Sequence, residues 1–360
     1  PANAKAKQTS QSDANVEKAM KVAIVHYWLV RMRGGEKVLE AICELYPEAD
    51  IFTHVVNPAK ISETINNHAI STTFINKLPW SRTHYQNYLP LMPIALEQLD
   101  LSEYDLIISS ESGPAKGVIT RPDAVHICYC HTPMRYVWDM YHEYLNRQNF
   151  FKRLLMRPLL HYIRTWDFQS AARVDHFICN SNYVAQRVKK VYRRESTVIY
   201  PPVDVDKFRP VLDSPVRDSK EDAQDYYLLL GQLVRYKKTD IAVQAFNQSG
   251  KNLRIIGTGE HLHELQKNAN NNIEFLGWQN ESVVALHLRS CRALIFPGIE
   301  DFGIVPLEAM ASGTPVIAYA KGGALETVVD QTTGISFDQQ SAAGLSKAVA
   351  RFETLEAQFD

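Results

Sequence analysis

From Met20 onward, short apolar runs rich in Val, Ile, Leu, Phe and Tyr alternate with longer stretches whose apolar positions recur at helical spacing. A short continuous apolar run marks a strand buried on both faces, and its alternation with helices is the pattern of βαβ units around a parallel sheet. The alternation occurs twice. The first series predicts strands over 22–27, 49–54, 106–109, 125–129 and 176–179, and the second over 227–230, 253–256, 273–276, 293–296, 316–319 and 334–337. Between them stands Tyr200-Pro201-Pro202-Val203-Asp204, followed by a polar stretch at 212–225 with little to bury. Pro-Pro disfavours continuing either regular structure, and a solvated polar run needs no core, so the domain boundary falls here. The chain therefore divides into an N-terminal domain at 20–203, a hinge and polar linker at 204–225, and a C-terminal domain at 226–360. The expected fold class is α/β, with two Rossmann-like doubly wound domains. Ligands of such sheets bind beyond the carboxyl ends of the strands, so two facing domains enclose an interdomain cleft.

The 360 residues suit two domains, each with its own core, and no short-period repeat points to a solenoid or propeller. Lys and Arg total 39 against 40 Asp and Glu, and the formal net charge of −1 argues against a dedicated nucleic-acid binder. No uninterrupted apolar run approaches the roughly 18–20 residues needed to span a bilayer. The five cysteines (Cys43, Cys128, Cys130, Cys179, Cys291) are an odd number without a secretory signal, which fits free thiols in a reducing cytoplasm. Residues 1–19 are rich in Ala, Ser, Gln and Lys and read as a disordered extension, with Met20 as a natural start. After the helical pattern at 342–355 no further element is expected.

Candidate chemistry concentrates at 296–319. Phe296 ends a strand pattern, a glycine-containing loop follows, Pro306 suits the first turn of a helix, and Gly313-Thr314-Pro315 stops it. The backbone at Phe302, Gly303, Ile304 and Val305 then points open amides at the cleft, which suits a phosphorylated or polyhydroxylated ligand. Glu300 lies in the loop and Glu308 in the helix's first turn, eight positions apart. On these residues alone, a helix-dipole acid and a solvated loop acid explain the pair equally well. The whole segment from Glu300 to Gly313, EDFGIVPLEAMASG, closely resembles the E-x7-E signature of family 4 retaining glycosyltransferases, which have the GT-B fold.

Other blocks resemble the same family in the order it requires, so the likeness covers nearly everything from Met20 to about Leu355. Gly34 and Gly35 open GGEKVLEAI after the first strand and look like the family's glycine loop, where amides approach a phosphate or acceptor. YCHTPMRYVWDMY at 129–141 is similar to a signature of bacterial mannosyltransferases that build O-antigens and exopolysaccharides. That resemblance puts His131 beside the donor sugar and Arg135 on the acceptor side. The segment 173–208 resembles the last strand, helix and hinge of the family's first domain. GQLVRYKKTDIAVQAF at 231–246 is similar to the block that carries the diphosphate-binding cations. Lys237 matches the family's lysine, Gln232 stands where the family has arginine, and Arg235 in the same loop is the candidate replacement. RIIGTGE at 254–260, with Gly257, and FLGW at 275–278, with Trp278, resemble two strand-end loops of the donor site, the second near the base. Two patterns read as structural instead. His126, Cys128 and Cys130 share one strand face as core, and Asp204-Val205-Asp206, though similar to a metal-binding DxD, follows the hinge as a turn.

The resemblance implies a metal-independent retaining glycosyltransferase. It would move mannose from GDP-mannose to a polyprenyl-diphosphate-linked oligosaccharide in bacterial polysaccharide assembly. No cofactor and no metal are implied, because cationic side chains take the metal's part at the leaving diphosphate. Glu300 contacts the sugar and stabilises developing positive charge, Glu308 holds the ribose, Lys237 with Arg235 neutralises the diphosphate, and His131 orients the sugar. The alternatives are another GT-B activity and a noncatalytic nucleotide-sugar-binding component of an assembly complex. The first would be an epimerase needing no acceptor or a phosphorylase needing inorganic phosphate.

Two surfaces remain. The stretch 147–166 holds five basic residues (Arg147, Lys152, Arg153, Arg157, Arg164), no acidic ones and an apolar face; 74–92 adds Trp80, Tyr85 and Tyr88 near Lys77 and Arg82. Such stretches either lie against an anionic membrane, here the inner face of the cytoplasmic membrane, or pack on the sheet with a solvated basic face.

Overall fold

The computed structural model describes residues 19–210 and 225–359, so the expectations for 1–18 and most of the polar linker lie outside the described residues. The first sheet contains β1 (Val22–His26), β2 (Asp50–Thr53), β3 (Ile70–Thr72), β4 (Leu106–Glu111), β5 (Val125–Cys130), β6 (His176–Cys179) and β7 (Thr197–Val198). The second contains β8 (Tyr227–Leu230), β9 (Leu253–Ile256), β10 (Ile273–Gly277), β11 (Leu294–Phe296), β12 (Val316–Tyr319) and β13 (Gly334–Phe337). Their orders are β3-β2-β1-β4-β5-β6-β7 and β10-β9-β8-β11-β12-β13, and every pairing is parallel.

Each order reverses once, between β1 and β4 in the first sheet and between β8 and β11 in the second. At such a switch point the loops leaving two adjacent strands turn to opposite faces and open a crevice. The loops after β1, β4, β8 and β11 therefore border such a crevice in each sheet.

Apolar runs become central strands because both faces are covered. In the second sheet Tyr227, Leu229, Ile255, Ile295, Ile317 and Ile335 pack beneath the helices Thr239–Ser249 and Ala342–Leu355. Their alternate neighbours Leu228, Ile256, Leu294, Phe296, Val316 and Ala318 form the opposite core with the helix Glu281–Ser290. Strand residues i and i+2 thus serve one face and i+1 the other.

Strands β3 and β7 have no counterpart among the predicted elements. Both are edge strands: β3 is Ile-Ser-Thr with no residue buried, and β7 is Thr-Val. An edge strand that buries little carries no apolar run to detect. Strand β4 also runs past its predicted end at Ser109 through Ser110 and Glu111, and all three are polar yet fully buried. Their hydrogen bonds replace water. Ser109 Oγ lies 2.9 Å from His126 Nε2, and a Glu111 carboxylate oxygen accepts from the amides of Ala115 and Lys116 at 3.2 and 2.6 Å.

The basic stretch forms the helix Phe150–Ser170, begun by Asn149, whose side chain accepts from the Lys152 amide at 2.9 Å. Its C-terminal half buries Leu160, Ile163 and Trp166 in the core of the first domain. The first two turns carry exposed Phe150, Phe151, Leu154 and Leu155 beside Lys152, Arg153 and Arg157. Arg164 and Arg147 do not join that surface. Arg164 donates to the Val137 carbonyl at 2.6 Å, and Arg147 donates to Glu260 of the second domain at 2.9 Å. In the second basic-aromatic stretch Tyr85 is core, whereas Trp80 stands exposed. No helix among the described residues is long and apolar enough to cross a membrane.

Candidate active site

The helix after β11 is Ile304–Ala311, preceded by Gly303 at φ 89°. This start makes Glu308 the fifth helical residue, so it stands in the second turn and not, as expected, in the first. The amides of Ile304 and Val305 have no intrahelical acceptor, and Pro306 has no N–H to waste. Phe302 precedes this helix and does not line the cleft. Its ring is buried and stacks on Tyr200, with centroids 5.5 Å apart.

Glu300 sits in the loop before that helix, and one carboxylate oxygen lies 2.8 Å from Lys237 Nζ. Lys237 ends the short turn Arg235–Lys237 in the loop after β8, so the two switch-point loops of this domain meet through these side chains. Burial opposes charge on Lys237, but Glu300 and Tyr236 outweigh it and its pKa is raised. Close backbone packing brings the loops to this distance. A Cβ on Gly298, in the loop after β11, would stand 2.9 Å from the Lys237 carbonyl oxygen, so any side chain there would force the two loops apart; Gly257, at φ 144° in the loop after β9, packs as tightly on the β8 loop, where its Cβ would stand 1.9 Å from the Gly231 carbonyl oxygen.

Arg235 does not replace the arginine missing at position 232. It pairs with Glu264 and is largely exposed, because the turn that aims Lys237 inward aims residue 235 outward. Gln232 itself lines the cleft.

Across the cleft, the helix Gly34–Leu45 follows β1, and a Cβ on Gly34 would meet Ile304 Cδ1 of the opposite domain at 3.1 Å. A Cβ on Gly35 would lie 2.6 Å from the Tyr27 hydroxyl and 3.6 Å from His131 Nε2. The two glycines, expected in a loop, are thus the first two residues of this helix, and they lie between His131 and the helix N-terminus of the second domain. His131 follows β5, and its Nε2 lies 2.8 Å from Ser110 Oγ, which lies 3.1 Å from His26 Nδ1. Burial, assisted by His26, pushes its pKa down to about 3, so at neutral pH it is an uncharged imidazole.

The loop carrying His131 rests on a buried network. Lys116 Nζ donates to Glu111 at 2.6 Å and also to Asp167, and Trp138 Nε1 donates to Asp167 at 2.7 Å. Burial raises the Glu111 pKa, while Asp167 and Glu111 together hold Lys116 charged against its own desolvation.

The cleft between the domains has a volume of about 1780 Å³. Gly231, Lys237, Gly257 and Trp278 line it from the second domain, and Arg31, Arg33 and Lys37 from the first. Trp278 is 75% exposed, a flat apolar surface facing an open cavity. Near one end, Glu281 accepts from Lys37 and Lys207, each at 2.6 Å, which ties the first domain to the second. Glu308 is close to this group. Burial first and Glu281 second push its pKa up to about 7, against the pull of Lys37 and Lys207.

Arg135, expected on the acceptor side, donates instead to Asp301 of the second domain at 2.7 Å. Lys152, Arg153 and Arg157 lie on the helix Phe150–Ser170 and do not line the cleft. Asp204 caps its own turn, accepting from the Lys207 amide at 2.9 Å, and His126, Cys128 and Cys130 are buried within the first domain. Among the described residues no group of three or more His, Cys, Asp or Glu is arranged to hold a metal ion. Sequence reasoning missed Arg31, Arg33, Lys37, Asp301 and Arg187. All are charged residues on helices or loops with no distinguishing spacing, and only the tertiary fold brings them to the cleft or to its seam.

A lysine that lines a deep cleft beside a carboxylate, with open helix amides, a glycine pair and a neutral histidine next to them where the domains touch, suits a nucleoside diphosphate joined to a sugar. Two solved structures share the two-domain arrangement, which defines the fold as that of GT-B glycosyltransferases. Anabaena HepE in complex with UDP and glucose has a TM-score of 0.69 and 16% identity, covering 94% of this chain and 92% of that one. WaaG, a glycosyltransferase involved in lipopolysaccharide biosynthesis, has a TM-score of 0.64 and 15% identity over 94% and 92%. The family model "Glycosyltransferase Family 4" matches residues 32–207 and "Glycosyl transferases group 1" matches 214–358. The chain belongs to the family 4 glycosyltransferases. Its relatives include the alpha-1,3/1,6-mannosyltransferase ALG2 of Dictyostelium discoideum, 28% identical over 64% of this chain and 63% of that protein. Human ALG2 is 26% identical over 74% and 69%. The chain thus spans about two thirds of the length of these two relatives.

Proposed function

We propose that the protein transfers mannose from GDP-mannose to a polyprenyl-diphosphate-linked oligosaccharide, with retention and without a metal ion or cofactor, in bacterial polysaccharide assembly. The observation that carries this reading is the Lys237–Glu300 pair beside the amides of Ile304 and Val305, facing Gly35 and His131. The mannosyltransferase relatives support the sugar.

In this reading Lys237 and the helix amides neutralise the leaving diphosphate, doing electrostatically what a metal does elsewhere. The acceptor hydroxyl oxygen bonds to the anomeric carbon on the face from which the phosphate leaves. The bond from that carbon to the phosphate oxygen breaks, and the hydroxyl proton passes to the departing phosphate. Glu300 stabilises positive charge on the sugar, His131 orients the sugar as an uncharged hydrogen-bonding group, and Glu308 holds the ribose. Domain closure excludes water and limits hydrolysis. Phe150, Phe151, Leu154 and Leu155, with Lys152, Arg153 and Arg157, would bring the cleft to an anionic membrane carrying the acceptor.

The test is transfer of labelled mannose from GDP-mannose into a lipid-extractable product. Glu300→Gln should lower turnover by about a hundredfold or more while GDP binding persists. Full turnover by that variant contradicts the assignment. A second reading, a UDP-hexose donor, is favoured by the UDP and glucose found with HepE. It predicts that UDP and not GDP binds.

A further inference from the structure

Arg187 stands in the helix Asn182–Tyr192 of the first domain, where the sequence shows nothing but an amphipathic pattern. Its guanidinium makes three contacts. Nη1 donates to Asp301 Oδ1 at 2.6 Å and to Thr132 Oγ1, and Nη2 donates to Asp139 Oδ1 at 2.6 Å. Thr132 follows His131, and Asp301 follows Glu300. One side chain thus grips the chain neighbour of the candidate reactive group in each domain.

The same loop receives two further contacts from the first domain. Arg135 Nη2 donates to Asp301 Oδ2 at 2.7 Å, and Ser181 Oγ donates to the Asp301 carbonyl at 2.5 Å. From its own domain the loop is held by the Gly323 amide, which donates to the Glu300 carbonyl at 2.9 Å. The side chains of Arg187 and Asp301 are only 12% and 16% exposed. A shielded, well-aligned charge pair transmits position, whereas an exposed pair would be worth little.

We propose that Arg187 is a positioning residue for the transfer reaction, holding Glu300 and His131 in register across the cleft through Asp301 and Thr132. The inference rests on the site reading above. Reacting groups that lie on separate domains need alignment finer than domain closure alone supplies, and a misplacement of about 1 Å costs on the order of a hundredfold in rate. Because Arg187 binds both loops at once, closing the domains and aligning the two groups become one event. The seam does not depend on it alone: Glu326 accepts from the amides of Asn182 and Tyr183 at 2.8 and 3.0 Å, so contact between the domains survives its loss.

The test compares wild type with Arg187→Gln, Arg187→Lys, Asp301→Asn and the Arg187→Gln/Asp301→Asn double variant. Arg187→Gln should lower kcat by about tenfold or more with GDP affinity unchanged, since Lys237 and the helix amides are untouched. Arg187→Lys should recover part of the loss, and the double variant should be no worse than the poorer single one. Small-angle scattering with GDP bound should show a larger radius of gyration for Arg187→Gln than for wild type. Scattering and GDP binding are read without turnover, so an error in the assumed sugar or acceptor leaves them standing. Asp301→Asn, an isosteric change in the other domain, keeps the test decisive if Arg187→Gln fails to fold. A kcat within about twofold of wild type, or losses that add in the double variant, overturns the proposal.

Discussion

At the scale of single residues, the site separates charged from neutral groups by burial. His131 is held uncharged and Lys237 charged, although both are shielded from water, because only Lys237 has a carboxylate against it. Glu308 is the group that titrates near neutrality, at about 7. Its raised value means that the folded protein holds a proton there after the unfolded chain has released it. The contribution of this group to stability is therefore full in acid and lost as pH rises through about 7. Ribose hydroxyls donate best to the ionised carboxylate, so affinity for a GDP-sugar should rise several-fold between about pH 6 and about pH 8. The phosphates of such a donor do not titrate in that window. Calorimetry across it checks the point: Glu308→Gln should flatten the dependence, and a slope unchanged in that variant would assign the titration elsewhere.

At the scale of elements, loops do the chemistry and buried polar groups hold the loops. Lys116 is fully buried between Glu111 and Asp167, beneath the loop of His131 and Arg135. Lys116→Met should leave two carboxylates facing each other and lower stability by about 3–5 kcal/mol, read by urea unfolding; a loss under about 1 kcal/mol would show that the network relaxes. The first turns of Phe150–Ser170 make a separate prediction. Phe151 and Leu155 are 75% and 74% exposed, so changing both to Ser should leave the circular dichroism spectrum intact. Sedimentation with anionic vesicles should fall by about tenfold, and undiminished sedimentation would remove this helix from the membrane reading. The contrast in legibility is physical. Glu300, Lys237 and Gly35 were legible only through their resemblance to family motifs, which persist because a turn, a helix start or a close backbone approach demands a fixed local pattern. Asp301 and Arg187 could not, because their partnership spans 114 positions and leaves no trace in local spacing. Strands β3 and β7 escaped for a related reason, since an edge strand that buries little needs no apolar run.

At the scale of the molecule, two sheets with reversed orders face each other, and each wall of the cleft is incomplete alone. Lys237, Gly257 and Trp278 line one wall and Arg31, Arg33 and Lys37 the other; beside the cleft, Glu300 and the helix start at Ile304 meet Gly34, Gly35 and His131 where the domains touch. Contacts at Asp301, Glu281 and Glu326 span the seam at separate points, which makes closure a cooperative act of the whole chain. In the proposed function this cleft holds a guanosine diphospho-sugar through side-chain cations and amides. The most direct measurement is calorimetric titration of GDP, UDP and ADP at fixed salt in the presence of EDTA, with wild type and Lys237→Ala. Selective GDP binding without metal is the expected result, weakened by about tenfold to a hundredfold in Lys237→Ala. Binding that requires a divalent ion, a preference for UDP, or no nucleotide binding at all would contradict it.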